Sequence, residues 1–377
     1  MTSEIVLAKG IVERIGLDNS SVVFQPMDHE KVIQKTDVPD HQKAVLSVLN
    51  LLTEIKFGII KSFSEIDAIG HRVAHGGNLF YNSVIIDAAV KAKIKSLCEI
   101  APLHNPPALI GIEACEKVLP GIKQVAVFDT AFHQTIPEYA YLYGLPYEVY
   151  EKYGIRKFGF HGTSHKYVAN RAASLLEKPI EELKIITCHL GNGASITAVL
   201  NGESVDTSMG FTPLEGLIMG TRSGDIDPTI VTFLKNKAGW SIEETLDVLN
   251  TKSGILGVSG VSSDFRDVEE AADGGNKRAR IALEKFYYDV IKYIGAYVAV
   301  LNGVDAIVFT AGLGENSPSM RSAVCKNFTY LGVHLNEEMN NKRGKEIIVS
   351  TPESKIAILV IPTNEELMIA RDTKELI

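Results

Sequence analysis

Apolar residues along the chain alternate between short β-branched runs and longer stretches at helical spacing. Residues 5–15 and 21–24 read as strands, and residues 40–60 place Val45, Val48, Leu49, Leu52, Ile55 and Ile59 on one helical face, predicting a helix that ends near Gly58. An apolar strand over 66–73 runs into HRVAHGG, and helical spacing returns over 88–100. The three prolines of APLHNPP break it before another helix over 108–119, and 124–128 is a buried strand ending in Asp129. From 130 to 157 the chain is irregular and rich in tyrosine, which suits a domain crossing. HGTSHKYVANRAASLL then predicts a helix opening at Thr163 or Ser164, whose first N–H groups could face an anion.

Residues 184–199, KIITCHLGNGASITAV, are the centre of the pattern: β-branched runs on either side of Gly191-Asn192-Gly193 predict strand, tight turn, strand. Glycines there would allow positive φ and a close ligand approach, and an ordinary hairpin is the alternative. MGFTPLEGLIMGTRSGDIDP, over 209–228, is too rich in Gly and Pro for regular structure, yet too apolar for disorder. Helical patterns cover 226–249 and 275–301. A strand over 306–310 enters AGLGENS, and another over 356–361 enters PTNEELMIARDT, which opens a last helix. This alternation predicts an α/β fold with ligands beyond the carboxyl ends of the strands.

A chain of 377 residues exceeds the size at which one core usually stops growing, so two domains are expected. A net charge of −8 argues against a nucleic-acid partner. Cys98, Cys115, Cys188 and Cys325 are scattered with no C-x-x-C pair, as in proteins with reduced thiols. The start, MTSEIVLAKG, lacks a signal-peptide pattern, and no apolar run nears the roughly 20 residues that span a bilayer. These features predict a cytoplasmic protein with no membrane partner.

Gly312-Leu313-Gly314-Glu315-Asn316 follows a strand and precedes a helix, a context in which a glycine turn can cradle a nucleotide. Neither the dinucleotide fingerprint nor a Walker lysine motif is present. With the 191–193 turn it makes two strand-turn sites about 120 residues apart, the build of actin-like ATPases. Arg72, at a strand end, and Arg222, in the glycine-rich loop, suit bidentate grip on carboxylate or phosphate; pairing with a structural carboxylate is the alternative for each. Asp129 stands where α/β enzymes place working carboxylates, or caps a turn. Glu365 fits a helix cap, and Asp264 with Arg266 fits a cap beside a surface charge. His71 and His75, like His161 and His165, are four apart, but the first pair straddles a strand end, against metal ligation. The residues by themselves indicate a nucleotide-using α/β enzyme with an anionic substrate.

HRVAHGG, APLHNPP, VFDTAFHQTIPEYAY, FGFHGTSHKYVA, CHLGNGASITAV, MGFTPLEGLIMGTRSGDIDP, SGVSSDFRD, FTAGLGENS and IPTNEELMIARDT together resemble, in order and nearly end to end, the acetate kinases of the acetate and sugar kinase, heat-shock chaperone ATPase and actin superfamily. The resemblance implies two actin-like (ribonuclease H-like) domains with a nucleotide cleft between them. The first would span 1–131, with 366–377 packing back on it, and the second 132–365, with the nucleotide site and dimer interface. It implies reversible in-line transfer from ATP to acetate, giving acetyl phosphate and ADP, in a magnesium-dependent homodimer, with manganese as the alternative metal.

By motif position, Arg72 and Arg222 would hold the substrate and the transferring phosphoryl, His161 would hydrogen-bond its oxygens, and Asp129 would be the catalytic carboxylate. Ala74, Leu103, His104, Phe160 and Pro213 would line the acetate side. His189, Leu190, Gly191, Asn192 and Gly193 would meet phosphates, Asp264, Phe265 and Arg266 the nucleotide, Gly312, Leu313, Gly314, Glu315 and Asn316 the adenosine, and Glu365 the magnesium. Two departures stand out. Ala74 replaces the family's usual valine, which would loosen selectivity toward propionate. The chain also opens in the strand that follows the family's NAGSSSLK-type first turn, whose asparagine and lysine have no counterpart. That departure implies reduced stability and little activity, a native start further upstream, or a truncated nucleotide-binding homologue. A kinase for propionate or butyrate is a further alternative.

Overall fold

The computed structural model describes residues 4–377, so the first three positions of the expected first domain lie outside it. Two compact units divide the chain. One holds the described residues up to Phe128 together with Glu366–Ile377, and the other is Asp129–Glu365.

The first unit has two three-stranded sheets. β1 (Ala8–Glu13), β2 (Ser21–Pro26) and β3 (Val32–Lys35) form an antiparallel meander, and β4 (Ala68–Val73) lies parallel to β6 (Lys123–Phe128), whose other edge takes the short antiparallel β5 (Val84–Ile85). β1 and β4 are therefore both edge strands. Val22, Phe24, Val38, Ala44 and Leu51 make a small core under the meander, beside a cavity of about 190 Å³. Ile5, Leu7 and Ile11 remain exposed.

The helix expected over 40–60 covers His41–Leu52 only. Asp40 caps its start, accepting from the Lys43 amide at 2.7 Å, and the Thr53 hydroxyl closes its end on the Leu49 carbonyl. Beyond that point Phe57 turns back onto Phe24, ring centroids 6.0 Å apart, and Ile55 is left fully exposed. A tertiary contact overrode the periodicity. The helix expected over 108–119 begins earlier, as Asn105–Val118: Pro106 and Pro107 sit in its first turn, where no intrahelical amide is needed, and open it. The last helix, Glu365–Leu376, lies along β4, where Gly70 is required. A Cβ at Gly70 would meet Ile369 Cγ2 at 2.4 Å and Thr373 Oγ1 at 2.5 Å. The Ser83 hydroxyl donates to Asp372 at 2.6 Å and secures the same helix.

The second unit is built on one six-stranded sheet of β7 (Lys184–Leu190), β8 (Ala194–Leu200), β9 (Glu203–Thr207), β10 (Ala306–Thr310), β11 (Ile347–Ile348) and β12 (Ala357–Val360), in the order β11-β12-β10-β7-β8-β9. β7, β10 and β12 run parallel, and β8 returns antiparallel from β7. β9, which the sequence pattern did not reveal, extends the hairpin. Helix Lys277–Val300, capped by Asn276, sets Phe286, Val290 and Ile294 into the same core as Ile186, Cys188 and Ile196. The helical pattern over 226–249 is two helices, Thr229–Ala238 and Ile242–Thr251. Gly239, at φ 74°, ends the first, and a Ser241–Glu244 capping box starts the second. Among the described residues no helix is long and apolar enough to cross a membrane.

Candidate active site

The turn joining β7 to β8 is Gly191-Asn192-Gly193, closed by the Gly191 amide on the Gly193 carbonyl at 3.1 Å. None of the three lies in the left-handed region, contrary to the expectation of positive φ. A Cβ on either glycine would meet ordinary van der Waals contacts, so the turn shows no steric need for glycine, but such a Cβ shows what surrounds Gly193. A Cβ on Gly193 would stand 3.4 Å from His161 Nε2 and 3.6 Å from Arg222 Nη1, so an imidazole edge and a guanidinium converge on this glycine. His161 precedes helix Gly162–Leu175 and holds a left-handed φ of 55°, a strained conformation for a residue with a side chain. The helix begins one or two residues before the expected Thr163 or Ser164. Its first amide, on Gly162, is taken by the carbonyl of the buried Asp129 at 2.9 Å, and Gly162 has no room for a Cβ beside that oxygen.

Arg222 comes from the 209–228 loop, which is irregular, as expected, but firmly ordered. The Gly220 amide bonds the Asn192 carbonyl at 3.0 Å, Met219 pairs with Arg222 and Ile255, and the Gly216 amide donates to Asp225 at 2.8 Å. The Arg222 guanidinium reaches only the Pro213 carbonyl at 3.4 Å and Met219 Sδ at 3.8 Å, and makes no ion pair with a described residue. Burial pushes its pKa down. A partly buried guanidinium without a carboxylate is a standing demand for an anion. The structural-pair alternative thus finds no carboxylate for Arg222 among the described residues.

Imidazoles crowd around this point. His189 stacks on His161 with centroids 4.1 Å apart, and its Nδ1 meets Ser164 Oγ at 2.8 Å. Ser164 also meets Thr363 Oγ1 at 2.7 Å, and the Thr363 amide donates to Glu315 at 3.3 Å. Glu365, two residues on, thus begins the last helix from a fastened segment. Ser195 Oγ contacts both His161 Nδ1 and His165 Nε2, so the pair spaced four apart serves a hydrogen-bond network. His133 donates from Nε2 to the carbonyl of the buried Phe160 at 2.9 Å, and burial lowers its pKa to about 4.

Other nucleotide-side residues are placed differently from one another. Asp264 caps helix Phe265–Asp273 and grips Arg266 through both carboxylate oxygens, at 3.0 and 2.6 Å. That hydrogen bonding holds the exposed Asp264 carboxyl at about 2, as the capping alternative has it. Phe265 turns into the core against Phe286, and Leu190 is fully buried. AGLGEN is helical, Ala311–Asn316, where a glycine turn was expected. Leu313 is buried, Gly314 packs against Leu190, and the exposed Asn316 side chain donates to the Gly312 carbonyl. Arg321, fully buried and unremarked in the sequence, donates to the Gly314 and Glu315 carbonyls at 2.8 and 3.0 Å and supports this segment.

In the first unit Arg72 is exposed near the end of β4, and Ala74 is buried just beyond it. Asn105, also unremarked, accepts from the His75 amide at 3.1 Å and donates to the His75 carbonyl at 3.0 Å. It ties the loop of Arg72 and Ala74 to the loop of Leu103 and His104. Leu103 is 72% exposed and His104 partly buried. The signal was present as an asparagine before two prolines, a helix start whose amide side chain is free to work elsewhere.

The sequence model of the acetokinase family matches residues 1–371. The chain belongs to the acetokinase family. Members transfer a phosphoryl group. Among its relatives are the acetate kinases of Desulfitobacterium hafniense, 59% identical over all of this chain and 94% of the relative, and of Methanosarcina acetivorans, 58% identical over all of this chain and 92% of the relative. The Porphyromonas gingivalis acetate kinase structure superposes with a TM-score of 0.94 at 50% identity, covering 99% of this chain and 94% of that one. A propionate kinase structure from Francisella tularensis gives 0.91 at 43%, covering 98% and 93%. The fold is accordingly the α/β, actin-like fold of the acetokinases.

Proposed function

We propose that the chain is an acetate kinase, moving the γ-phosphoryl of ATP to acetate and back from acetyl phosphate. The observation that carries this reading is the Arg222 guanidinium, with no carboxylate partner among the described residues, converging with His161 on Gly193. Phosphoryl transfer asks for positioning and charge neutralisation, which an arginine and an imidazole provide. Arg222 and Arg72 grip the substrate carboxylate and the phosphoryl, His161 bonds its oxygens, and Asp129 is the catalytic carboxylate. Ala74, Leu103, His104, Phe160 and Pro213 form the acetate side. Residues 189–193, 264–266 and 312–316 meet the nucleotide; for Phe265, Leu190 and Leu313, buried as they are, the contribution is to shape those segments.

Among the described residues no three His, Cys, Asp or Glu side chains gather into a metal site. A single carboxylate at Glu365 fits Mg²⁺, which keeps waters and takes phosphate oxygens, better than an ion needing a full protein cage. Bound with the nucleotide, Mg²⁺ would supply charge neutralisation; Glu365 would hold it. A cytoplasmic homodimer completes the reading, supported by the exposed Ile230, Phe233, Ile242 and Leu246 on two successive helices.

Propionate is the second acceptor to weigh, because the resemblance implies a valine where this chain has the smaller Ala74, and the Francisella relative is a propionate kinase. Acyl phosphate formation with acetate, propionate and butyrate at saturating ATP and Mg²⁺ decides. Acetate should give the highest kcat/KM. A higher value for propionate moves the assignment to that acid, and ATP binding without turnover on any of the three removes the kinase reading.

A further inference from the structure

We propose that Thr187, His165 and Ser195 form a one-way hydrogen-bond chain that places the proton of neutral His161 on Nε2, the nitrogen beside Gly193 and Arg222. The links are Thr187 Oγ1 to His165 Nδ1 at 2.7 Å, His165 Nε2 to Ser195 Oγ at 2.7 Å, and Ser195 Oγ to His161 Nδ1 at 2.9 Å. Thr187, His165 and Ser195 have no exposed surface. Burial, with His133 and His189 nearby, keeps the His165 pKa well below its usual value, so the ring carries a single proton.

That proton can sit on Nδ1 or Nε2, and Thr187 decides which. If Nδ1 held it, Thr187 would have to accept, and its own hydroxyl proton would be buried with no other partner among the described residues. A buried donor left unmade is the costly case. With the proton on Nε2 every group is used. Thr187 O–H donates to His165 Nδ1, and His165 Nε2–H donates to Ser195. The serine has one proton to give, and gives it to His161 Nδ1. His161 must then carry its proton on Nε2, facing the point where its ring converges with Arg222. An uncharged imidazole so held is a fixed donor for an anionic oxygen. The hydroxyl chain acts through His161, making Thr187, His165 and Ser195 positioning residues.

The consequence for catalysis rests on the phosphoryl contact proposed for His161; the tautomer does not. Nitrogen NMR of the full-length protein with ¹⁵N-histidine at pH 8, with the His161 signals assigned by their loss in His161→Gln, reads the tautomer directly. His161 and His165 should both be Nε2–H, and a His161 found as Nδ1–H overturns the proposal. Thr187→Val removes the first donor, and Thr187→Ser keeps it. The valine variant should shift His161 away from pure Nε2–H and lower kcat by about 10-fold or more, since a wrong histidine tautomer is costly to catalysis. The serine variant should restore both. An unchanged tautomer in Thr187→Val refutes the chain. A changed tautomer with unchanged kcat supports the chain and instead refutes the phosphoryl contact of His161. Should the valine variant fail to fold, Ser195→Ala interrupts the same chain one link later and is read in the same way.

Discussion

The two units hold their functional groups by different means. In Asp129–Glu365 the 191–193 turn springs from β7, a strand with partners on both sides, and the histidines, serines and threonines behind that turn are bonded to one another. In the other unit Arg72 sits on β4, a sheet edge, and Asn105 bonds both the amide and the carbonyl of His75, joining its loop to that of His104. A network of buried side-chain hydrogen bonds behind a turn makes a site rigid, whereas groups carried on loops beyond an edge strand depend on the contacts that hold those loops.

The two arginines test this contrast most severely. Arg72→Ala and Arg222→Ala should each lower kcat by about 10³-fold or more, the scale of an arginine at a phosphoryl-transfer centre. Arg222→Ala should not lower the melting temperature, because the side chain it removes is a partly buried charge without a carboxylate. A fall of several degrees would mean that the guanidinium has a structural partner after all.

Acid should weigh on both units, with two of the three histidines concerned in the second. His133 in the second unit has its pKa lowered to about 4, from about 6.5, so the unfolded chain binds this proton first as pH falls. The stability it contributes is complete above about pH 6.5 and is lost as pH falls toward 4, by up to ~3 kcal/mol. His165 acts in the same direction, as does the less buried His71 of the first unit. Urea midpoints measured across this range should fall with acid, and His133→Gln should flatten the curve. An unaltered slope would remove His133 from the account.

Asn105→Ala takes away two buried hydrogen bonds and should cost about 1–3 kcal/mol in the first unit. The KM for acetate should rise by a larger factor than kcat falls, and the reverse pattern would show that the tie serves something other than the acid. Ala74→Val is the mildest change. Narrowing an apolar wall by two methyl groups should lower the propionate-to-acetate ratio of kcat/KM by no more than ~1–3 kcal/mol. An unaltered ratio would remove Ala74 from the wall.

Much was legible in the sequence because it depends on neighbours in the chain. The hairpin of 184–199, the strands entering Asp129 and AGLGEN, and the irregular order of 209–228 follow from β-branched runs, turn residues and glycine content. The family, carried by nine long motifs, was legible too. Where the reading failed, a distant contact intervened. Phe57 folds onto Phe24 and cuts the first helix short, and Glu315 bonds the Thr363 amide while its segment coils into a helix.

Only the tertiary structure decided which groups face one another. Chain order separates Asn105 from His75, Ser195 from His161 and His165, and Arg321 from Asn340 by between 19 and 34 positions, and no local periodicity encodes such pairings. The sequence determined the repertoire of side chains and the elements bearing them, since propensity and patterning act over a few residues. Packing determined that Arg222 has no carboxylate partner among the described residues, that His161 takes a left-handed φ, and that one serine lies between two imidazoles, because buried polar groups must find partners wherever the folded chain brings them.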